Sequence, residues 1–260
     1  MLAQVAARHL RLPGIVLLLL AGVLLGPDVA NIVRPDSLNG GLRVITAAAV
    51  AIILFEGGMQ LDLGRLRAEG PTIRRLITIG ALITAVGGTL AAHFIMGWSW
   101  EVAIPFGTLV IVTGPTVIGP LLRRIRVNRN LHTILEAEGV LIDPIGAIIA
   151  VVALEMVLAT ELSTAAEGLI GIPARLLFGV AMGAAGGFVM GKLIEREGLV
   201  PSELESITTL SLLIALHASS EAVMQESGIM AAAIAGVVFG NMPLRRAREL
   251  RDFKEQLSVL

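Results

Sequence analysis

The sequence predicts an all-α, polytopic membrane protein with about eight transmembrane helices. Of its 260 residues, 55% are hydrophobic and only 16% are charged, whereas soluble domains carry about 25% charged residues. Apolar segments of roughly 20 residues, the length that crosses a bilayer as a helix, recur along the whole chain. Because lipid cannot hydrogen-bond the backbone, we expect these segments to be helices.

Eight apolar segments are the predicted spans, and the connections between them are short. In chain order they cover residues 12–33, 42–61, 76–98, 102–122, 132–159, 169–194, 207–224 and 229–242, the last being short. We expect residues 1–244 to be one transmembrane domain, incomplete as a transporter. Residues 245–260 are expected to form a cytoplasmic linker and the start of a further span. No small-residue cleavage site follows the first segment, so we interpret it as a span and not as a secretion signal.

The basic residues predict the orientation of the spans, because short cytoplasmic loops retain Lys and Arg. With the first residue inside, 17 of the 20 Lys and Arg residues fall on one side, and only Arg34, Arg43 and Arg175 fall on the other. This alternation holds at every loop. It predicts a multi-pass protein of the inner (plasma) membrane with both ends of the chain in the cytoplasm.

Overall composition excludes several classes of protein. The 20 basic and 21 acidic residues nearly balance, so nothing indicates a nucleic-acid partner, and without cysteine there is no disulfide scaffold or cysteine zinc site. We expect no cofactor. Aromatic residues make up only 3% of the chain and tyrosine is absent, so an aromatic belt at the membrane interface is expected to be weak.

Acidic residues lie inside the apolar segments without basic residues at comparable depth. Ionisable groups at that depth are costly unless they are paired or face a cavity, so they are functional candidates. Glu56, Glu138 and Asp143 are the strongest, although Glu56 is near enough to the end of its span to be interfacial instead. Glu136 and Glu155 lie near span ends and are interpreted as solvated.

Two of the apolar segments contain proline next to polar residues, and one of them is predicted to be a broken helix. Pro144 follows Asp143 and frees the carbonyl of Val140, so hard oxygen atoms suited to a proton or a small cation lie together. In the preceding segment, two Gly-Pro pairs follow Thr113, the first within Thr113-Gly114-Pro115-Thr116. A helix broken in this way is tolerated at membrane depth only in protein or beside a cavity, and such helices commonly build ion sites in transporters. The alternative is a structural helix that is merely kinked.

The remaining features are interpreted as structural. Gly179, Gly183, Gly187 and Gly191 recur every four residues, a spacing that lets another helix approach closely and that could serve a dimer interface. His93 and His217 lie toward the outer ends of their spans and are expected to be interfacial or packed, and Glu221 is expected to be solvated.

These motifs together resemble the monovalent cation:proton antiporters of the bacterial sodium/proton exchanger family. The resemblance rests on Thr113-Gly114-Pro115-Thr116 followed by the stretch from Glu138 to Pro144. Matches elsewhere are Leu24-Leu25-Gly26-Pro27, Leu54-Phe55-Glu56-Gly57-Gly58, and Ser227-Gly228-Ile229-Met230-Ala231 through Gly240-Asn241. The order of the motifs is that of the family along essentially the whole chain.

The resemblance implies roles for particular residues. Asp143 would carry the proton or the cation, Thr113 would supply a ligand from the unwound segment, and Glu56 can complete a site for Na⁺ or K⁺. Glu138 matches the family's structural glutamate, which normally pairs with an arginine from a later helix. The chain departs from the family pattern where Gly114 replaces an aspartate, Ile142 an asparagine and Gly139 a serine.

The function expected from the sequence is exchange of Na⁺ or K⁺ for protons by alternating access, in the first part of an inverted-repeat antiporter fold and as a homodimer in the bilayer. The chain stops before the second broken helix and the partner arginine of the family. A passive cation channel and a non-transporting partner half of a split antiporter are the alternatives. An enzyme is not expected, because the chain has no Gly-x-Ser-x-Gly or His-Glu-x-x-His motif and only one aspartate at mid-membrane depth.

Overall fold

The computed structural model describes residues 14–27, 29–34, 40–113, 127–158, 162–195, 201 and 204–242. Within these ranges the protein is all-helical and contains no β-strand. The predicted linker at 245–260 and the residues Gly114, Pro115 and Thr116 lie outside the described part of the chain.

Ten α-helices follow one another along the described residues. They are α1 (Gly14–Leu25), α2 (Gly41–Gln60), α3 (Leu63–Ala68), α4 (Gly70–Arg75), α5 (Ala81–Phe94), α6 (Trp100–Leu109), α7 (Arg129–Leu158), α8 (Leu162–Glu195), α9 (Glu205–Val223) and α10 (Ser227–Gly240). A π-helical turn, Leu76–Gly80, joins α4 to α5. The chain divides into two compact units, residues 1–47 and residues 48–260, and the packing described below lies within the second.

Five of the eight predicted spans contain helices long and apolar enough to cross a membrane. These helices are Gly41–Gln60, Gly70–Phe94, Arg129–Leu158, Gly171–Glu195 and Glu205–Val223. The other three predicted spans contain the shorter helices α1, α6 and α10, of 12, 10 and 14 residues. The third span begins at Gly70, earlier than predicted, because the π-helical turn continues α4 directly into α5.

The segment after α2 differs from its prediction as a simple polar connection. It forms two short helices, α3 and α4, and Asp62 caps α3 by accepting a hydrogen bond from the backbone N–H of Arg65 (3.0 Å). Four exposed arginines lie on α3 and α4: Arg65, Arg67, Arg74 and Arg75. This basic segment is helical without burying charge, because all four arginines are exposed.

Helix α10 lies against α2 at very short distance. A Cβ atom on Gly240 would lie 2.5 Å from the carbonyl oxygen of Met59. A Cβ atom on Gly58 or Gly236 would likewise collide with a backbone carbonyl of the other helix. The rings of Phe55 and Phe239 meet beside this crossing with centroids 5.6 Å apart, and both side chains are fully buried. Small residues therefore allow the two backbones to touch, as is common between membrane helices.

The glycine repeat of α8 faces the opposite flank of α10. A Cβ on Gly179 would lie 2.7 Å from the carbonyl oxygen of Ser227, one on Gly183 would lie 2.5 Å from that of Ala231, and one on Gly187 would lie 2.6 Å from that of Ala235. The repeat therefore packs inside this chain, where every fourth residue of α8 meets every fourth residue of α10.

Asn241 ties the end of α10 to the break between α2 and α3. Its side-chain amide donates to the carbonyl oxygens of Leu61 (2.7 Å) and Val237 (2.8 Å), and its Oδ1 accepts from the backbone N–H of Leu63 (2.9 Å). A helix end leaves backbone groups without partners. One side chain from about 180 residues away thus satisfies both sides of this break.

We predict that Gly183→Ala destabilises the bundle, because the new methyl group would collide with the backbone of Ala231. Overpacking of this kind costs about 1–3 kcal/mol. The matched control is Gly87→Ala in α5, where nothing lies within 4 Å of the new methyl group; there, higher helix propensity should add up to about 1 kcal/mol. Thermal unfolding of the purified variants in detergent measures both, and equal shifts for the two would contradict close packing of α8 on α10.

Candidate functional site

Helix α7 carries two of the predicted site residues, Glu138 and Asp143. The helix runs unbroken from Arg129 to Leu158 and includes Pro144, whose side chain is fully buried. Buried positions occur around much of its circumference, in contrast to the single stripe of a peripheral helix. Asp143 and Glu138 therefore lie on a helix that is largely enclosed by protein.

The Asp143 carboxylate is the least satisfied acidic group of the candidate site. Its Oδ1 atom is buried and, in the part of the chain that the structure describes, has no hydrogen-bond partner. An ionised carboxylate in such surroundings is strongly disfavoured unless something neutralises it. A proton or a bound cation is the simplest group that could do so.

Thr113 meets α7 at Glu138. Its hydroxyl donates a hydrogen bond to Oε1 of Glu138 at 2.9 Å. The residue before it, Val112, lies against Gly146, where an added Cβ would be 2.6 Å from the valine Cγ2. The segment that follows α6 thus runs along α7 from Gly146 to Glu138, and Asp143 lies within that stretch.

The helix that leads to Thr113 ends earlier than the first Gly-Pro pair. Helix α6 ends at Leu109, a turn follows at Val110 and Ile111, and Val112 and Thr113 have no regular secondary structure. Helical hydrogen bonding has therefore already ceased where Thr113 contacts Glu138. The predicted interruption at Gly114, Pro115 and Thr116 itself lies outside the described residues.

Glu56 approaches the same region from α2. Its neighbour Gly57 contacts α7 so closely that an added Cβ would be 2.8 Å from Cγ2 of Val140, one turn before Asp143. The Glu56 carboxylate accepts a long hydrogen bond from Nε2 of Gln60 (3.5 Å). Close packing at Gly57 thus places α2 beside the part of α7 that carries the two acids.

One ion pair between helices was missed by the sequence analysis. Nη2 of Arg175 in α8 lies 3.5 Å from Oε2 of Glu155 in α7, whereas Glu155 was expected to be solvated and Arg175 was only assigned to the side of the membrane opposite most basic residues. The Arg175 side chain is 18% exposed and that of Glu155 is 45% exposed. The signal in the sequence was an arginine six residues inside a predicted span.

The turn between α9 and α10 holds a buried polar cluster. Glu221, which was expected to be solvated, accepts hydrogen bonds from the backbone N–H groups of Glu226 (2.8 Å) and Gly228 (3.2 Å). Ser227 is fully buried and donates to the carbonyl of Ser220 (2.9 Å). The ring of His217 is packed against Gly228, where an added Cβ would be 2.6 Å from its Nδ1. The Ser227-Gly228 motif is therefore structural here.

A family profile described as "Sodium/hydrogen exchanger, transmembrane" matches residues 1–260. The K(+)/H(+) antiporter NhaP2 of Shewanella sp. (strain MR-4) is 28% identical over 248 residues, which are 94% of this chain and 42% of that protein. The probable Na(+)/H(+) antiporter 2 of Methanocaldococcus jannaschii is 22% identical over 271 residues, covering 97% of this chain and 62% of that protein. The chain thus spans less than two thirds of the length of these relatives.

A solved structure shares the fold. The sodium proton antiporter MjNhaP1 from Methanocaldococcus jannaschii, at pH 8, superposes with a TM-score of 0.80 and 24% sequence identity, covering 99% of this chain and 64% of that one. The helices described above are therefore part of an antiporter fold, and the expected fold class is confirmed.

We predict that Glu155→Gln destabilises the protein more than Arg175→Gln does. The first change leaves a largely buried guanidinium without its charged partner, at a cost of roughly 1–3 kcal/mol, whereas the second leaves a carboxylate that water can reach. Thermal unfolding of the two variants and of the double variant, measured side by side in detergent, gives the comparison. An equal or larger loss for Arg175→Gln would contradict the contribution assigned to the ion pair.

Proposed function

This chain belongs to the sodium/hydrogen exchanger family, and from that premise we propose that the protein exchanges Na⁺ or K⁺ for protons across the membrane. In this proposal Asp143 binds the proton and the cation in turn, and exposure of the site alternates between the two sides of the membrane. The observation that carries the proposal is the buried Oδ1 atom of Asp143, which has no partner among the described residues.

Competition for one carboxylate is sufficient to couple two ions. A protonated Asp143 has no charge with which to hold a cation, and a cation at Asp143 excludes the proton electrostatically. If the site changes the side to which it is open only when it carries a proton or a cation, each cation that crosses the membrane is exchanged for a proton. Support for the choice of ions comes from relatives named as K⁺/H⁺ and Na⁺/H⁺ antiporters.

Thr113 and Glu138 are proposed to act as a pair. The Thr113 hydroxyl uses its proton in the bond to Glu138, so the lone pairs of its oxygen remain for a cation. Glu138 then orients the ligand, in addition to its role as the structural acid. The backbone of Gly114, Pro115 and Thr116 is proposed to add carbonyl oxygens, and Glu56 to complete the site from α2.

The remaining parts of the proposal concern assembly and location. We place the protein in the inner (plasma) membrane with both ends of this chain on the cytoplasmic side, since 17 of the 20 basic residues then lie on that side. A homodimer is also proposed. Because the glycine repeat of α8 already contacts α10, the second copy must use another face.

We predict that Asp143→Asn abolishes cation-driven proton movement in proteoliposomes containing the full-length protein. The amide keeps the size of the side chain and removes the negative charge, so neither ion is held. A pH-sensitive dye inside the vesicles measures the exchange after a pulse of Na⁺ or K⁺. Glu155→Asp keeps its charge outside the proposed site and is the control for reconstitution.

Retained exchange in Asp143→Asn would remove Asp143 from its proposed role. A cation flux that a pH gradient can neither drive nor oppose would instead indicate a passive channel.

We predict that Thr113→Val raises the cation concentration needed for half-maximal exchange, whereas Thr113→Ser leaves it close to that of the unmodified protein. Valine matches the shape of threonine but lacks the oxygen atom; serine keeps the oxygen. The concentration dependence of the same dye signal gives both values. Equal values for Val and Ser variants would show that the Thr113 oxygen is not a ligand.

A further inference from the structure

Helices α5 and α6 form a hairpin, and aromatic side chains cluster at the turn between them. The ring of His93 stacks on that of Trp100, with centroids 3.8 Å apart and planes 22° apart. Phe94 meets Trp100 edge to face at 6.1 Å, and Trp98 meets Phe106 edge to face at 5.2 Å. Aromatic residues make up only 3% of the sequence, yet both of its tryptophans lie in this turn.

The turn is held in shape by its own contacts. Nδ1 of His93 donates a hydrogen bond to the carbonyl oxygen of Trp98 at 2.7 Å, because a carbonyl can only accept. Gly97 has a φ of +70°, in the left-handed region that favours glycine. The hydrogen bond joins the two sides of the chain reversal at Gly97, and it therefore fixes the turn that carries the aromatic rings.

The turn also presents an unusually apolar tip. Phe94, Ile95 and Met96 follow one another and are 72%, 83% and 58% exposed. They continue an exposed apolar stripe on the span Gly70–Phe94, formed by residues spaced three or four apart: Ile79, Ile83, Val86 and Leu90. The tip is thus continuous with the exposed apolar surface of this candidate span and lies at its end.

We propose that the turn at residues 93–100 is an interfacial anchor that binds the lipid bilayer itself, at the boundary between headgroups and acyl chains. Tryptophan favours this boundary because its ring is largely apolar while its indole N–H can bond to water or to headgroup oxygens. The apolar tip is buried among the upper acyl chains, and the His93–Trp100 stack lies at headgroup depth. The proposal concerns the membrane surface and is independent of the ion-binding site at Asp143.

Intrinsic fluorescence tests the proposal directly, because Trp98 and Trp100 are the only tryptophans in the sequence and there is no tyrosine. Any tryptophan outside residues 1–260 of the purified protein is first replaced by phenylalanine. The protein is reconstituted in phosphatidylcholine brominated either near the headgroup end or near the middle of the acyl chain. We expect the shallow bromine to quench more strongly than the deep bromine, and more strongly than iodide in water.

Variants locate the contact within the turn. The triple substitution Phe94→Ser, Ile95→Ser and Met96→Ser should lose most of the lipid quenching and gain quenching by iodide. Val223→Ser, at an apolar residue 70% exposed at the end of α9, should change neither. Trp98→Phe and Trp100→Phe leave the tip intact, so they report on lipid contact even if the triple variant does not fold; the more exposed Trp100 should carry the larger share.

Three results would overturn the proposal. Quenching by iodide without quenching by either brominated lipid would place the turn in water. Stronger quenching by the deep bromine would place it in the bilayer core. Protection from all the quenchers would mean that another part of the protein covers the turn.

Discussion

The need to satisfy polar groups inside the protein constrains this structure more than any other requirement. Lipid offers no hydrogen bonds, so each polar atom that enters a span must find a partner within the bundle. Asn241 satisfies the break after α2 in this way, and Glu221 satisfies the first N–H groups of α10. Against this background, Oδ1 of Asp143 is a departure from the rule: it is buried without a hydrogen-bond partner among the described residues, in a carboxylate that can take up a proton or a cation.

The packing of α10 and the irregularity beside α7 serve different needs. Helix α10 is in backbone contact with α2 and α8 because glycine and alanine occupy their crossings, and such close crossings resist rearrangement. Beside α7, by contrast, α6 ends at Leu109, a turn follows at Val110 and Ile111, and the chain is no longer helical at Thr113. Ion sites of secondary transporters are typically built where a helix is interrupted, and the non-helical residues before Gly114 are of this kind.

Hydropathy was sufficient to predict the fold class and most spans, because a helix that crosses lipid must be apolar along its length. It also indicated Asp143 and Glu138, since charge within an apolar run is visible in the sequence. The bond from Thr113 to Glu138 and the pair of Arg175 with Glu155 were not predictable. The first depends on where α6 ends, and the second depends on which helices become neighbours. Neither is encoded in the periodicity of a single segment. The aromatic turn escaped notice because composition averages over the whole chain.

The exchange proposed for this protein requires that one carboxylate carries the proton and the cation in turn. Isothermal titration of the purified protein with Na⁺ or K⁺, repeated in buffers of different ionisation enthalpy, measures how many protons are released for each cation bound. If Asp143 carries both ions, cation binding expels protons, weakens as the pH falls, and disappears together with proton release in Asp143→Asn. Cation binding without proton release, or proton release that persists in Asp143→Asn, would contradict the claim.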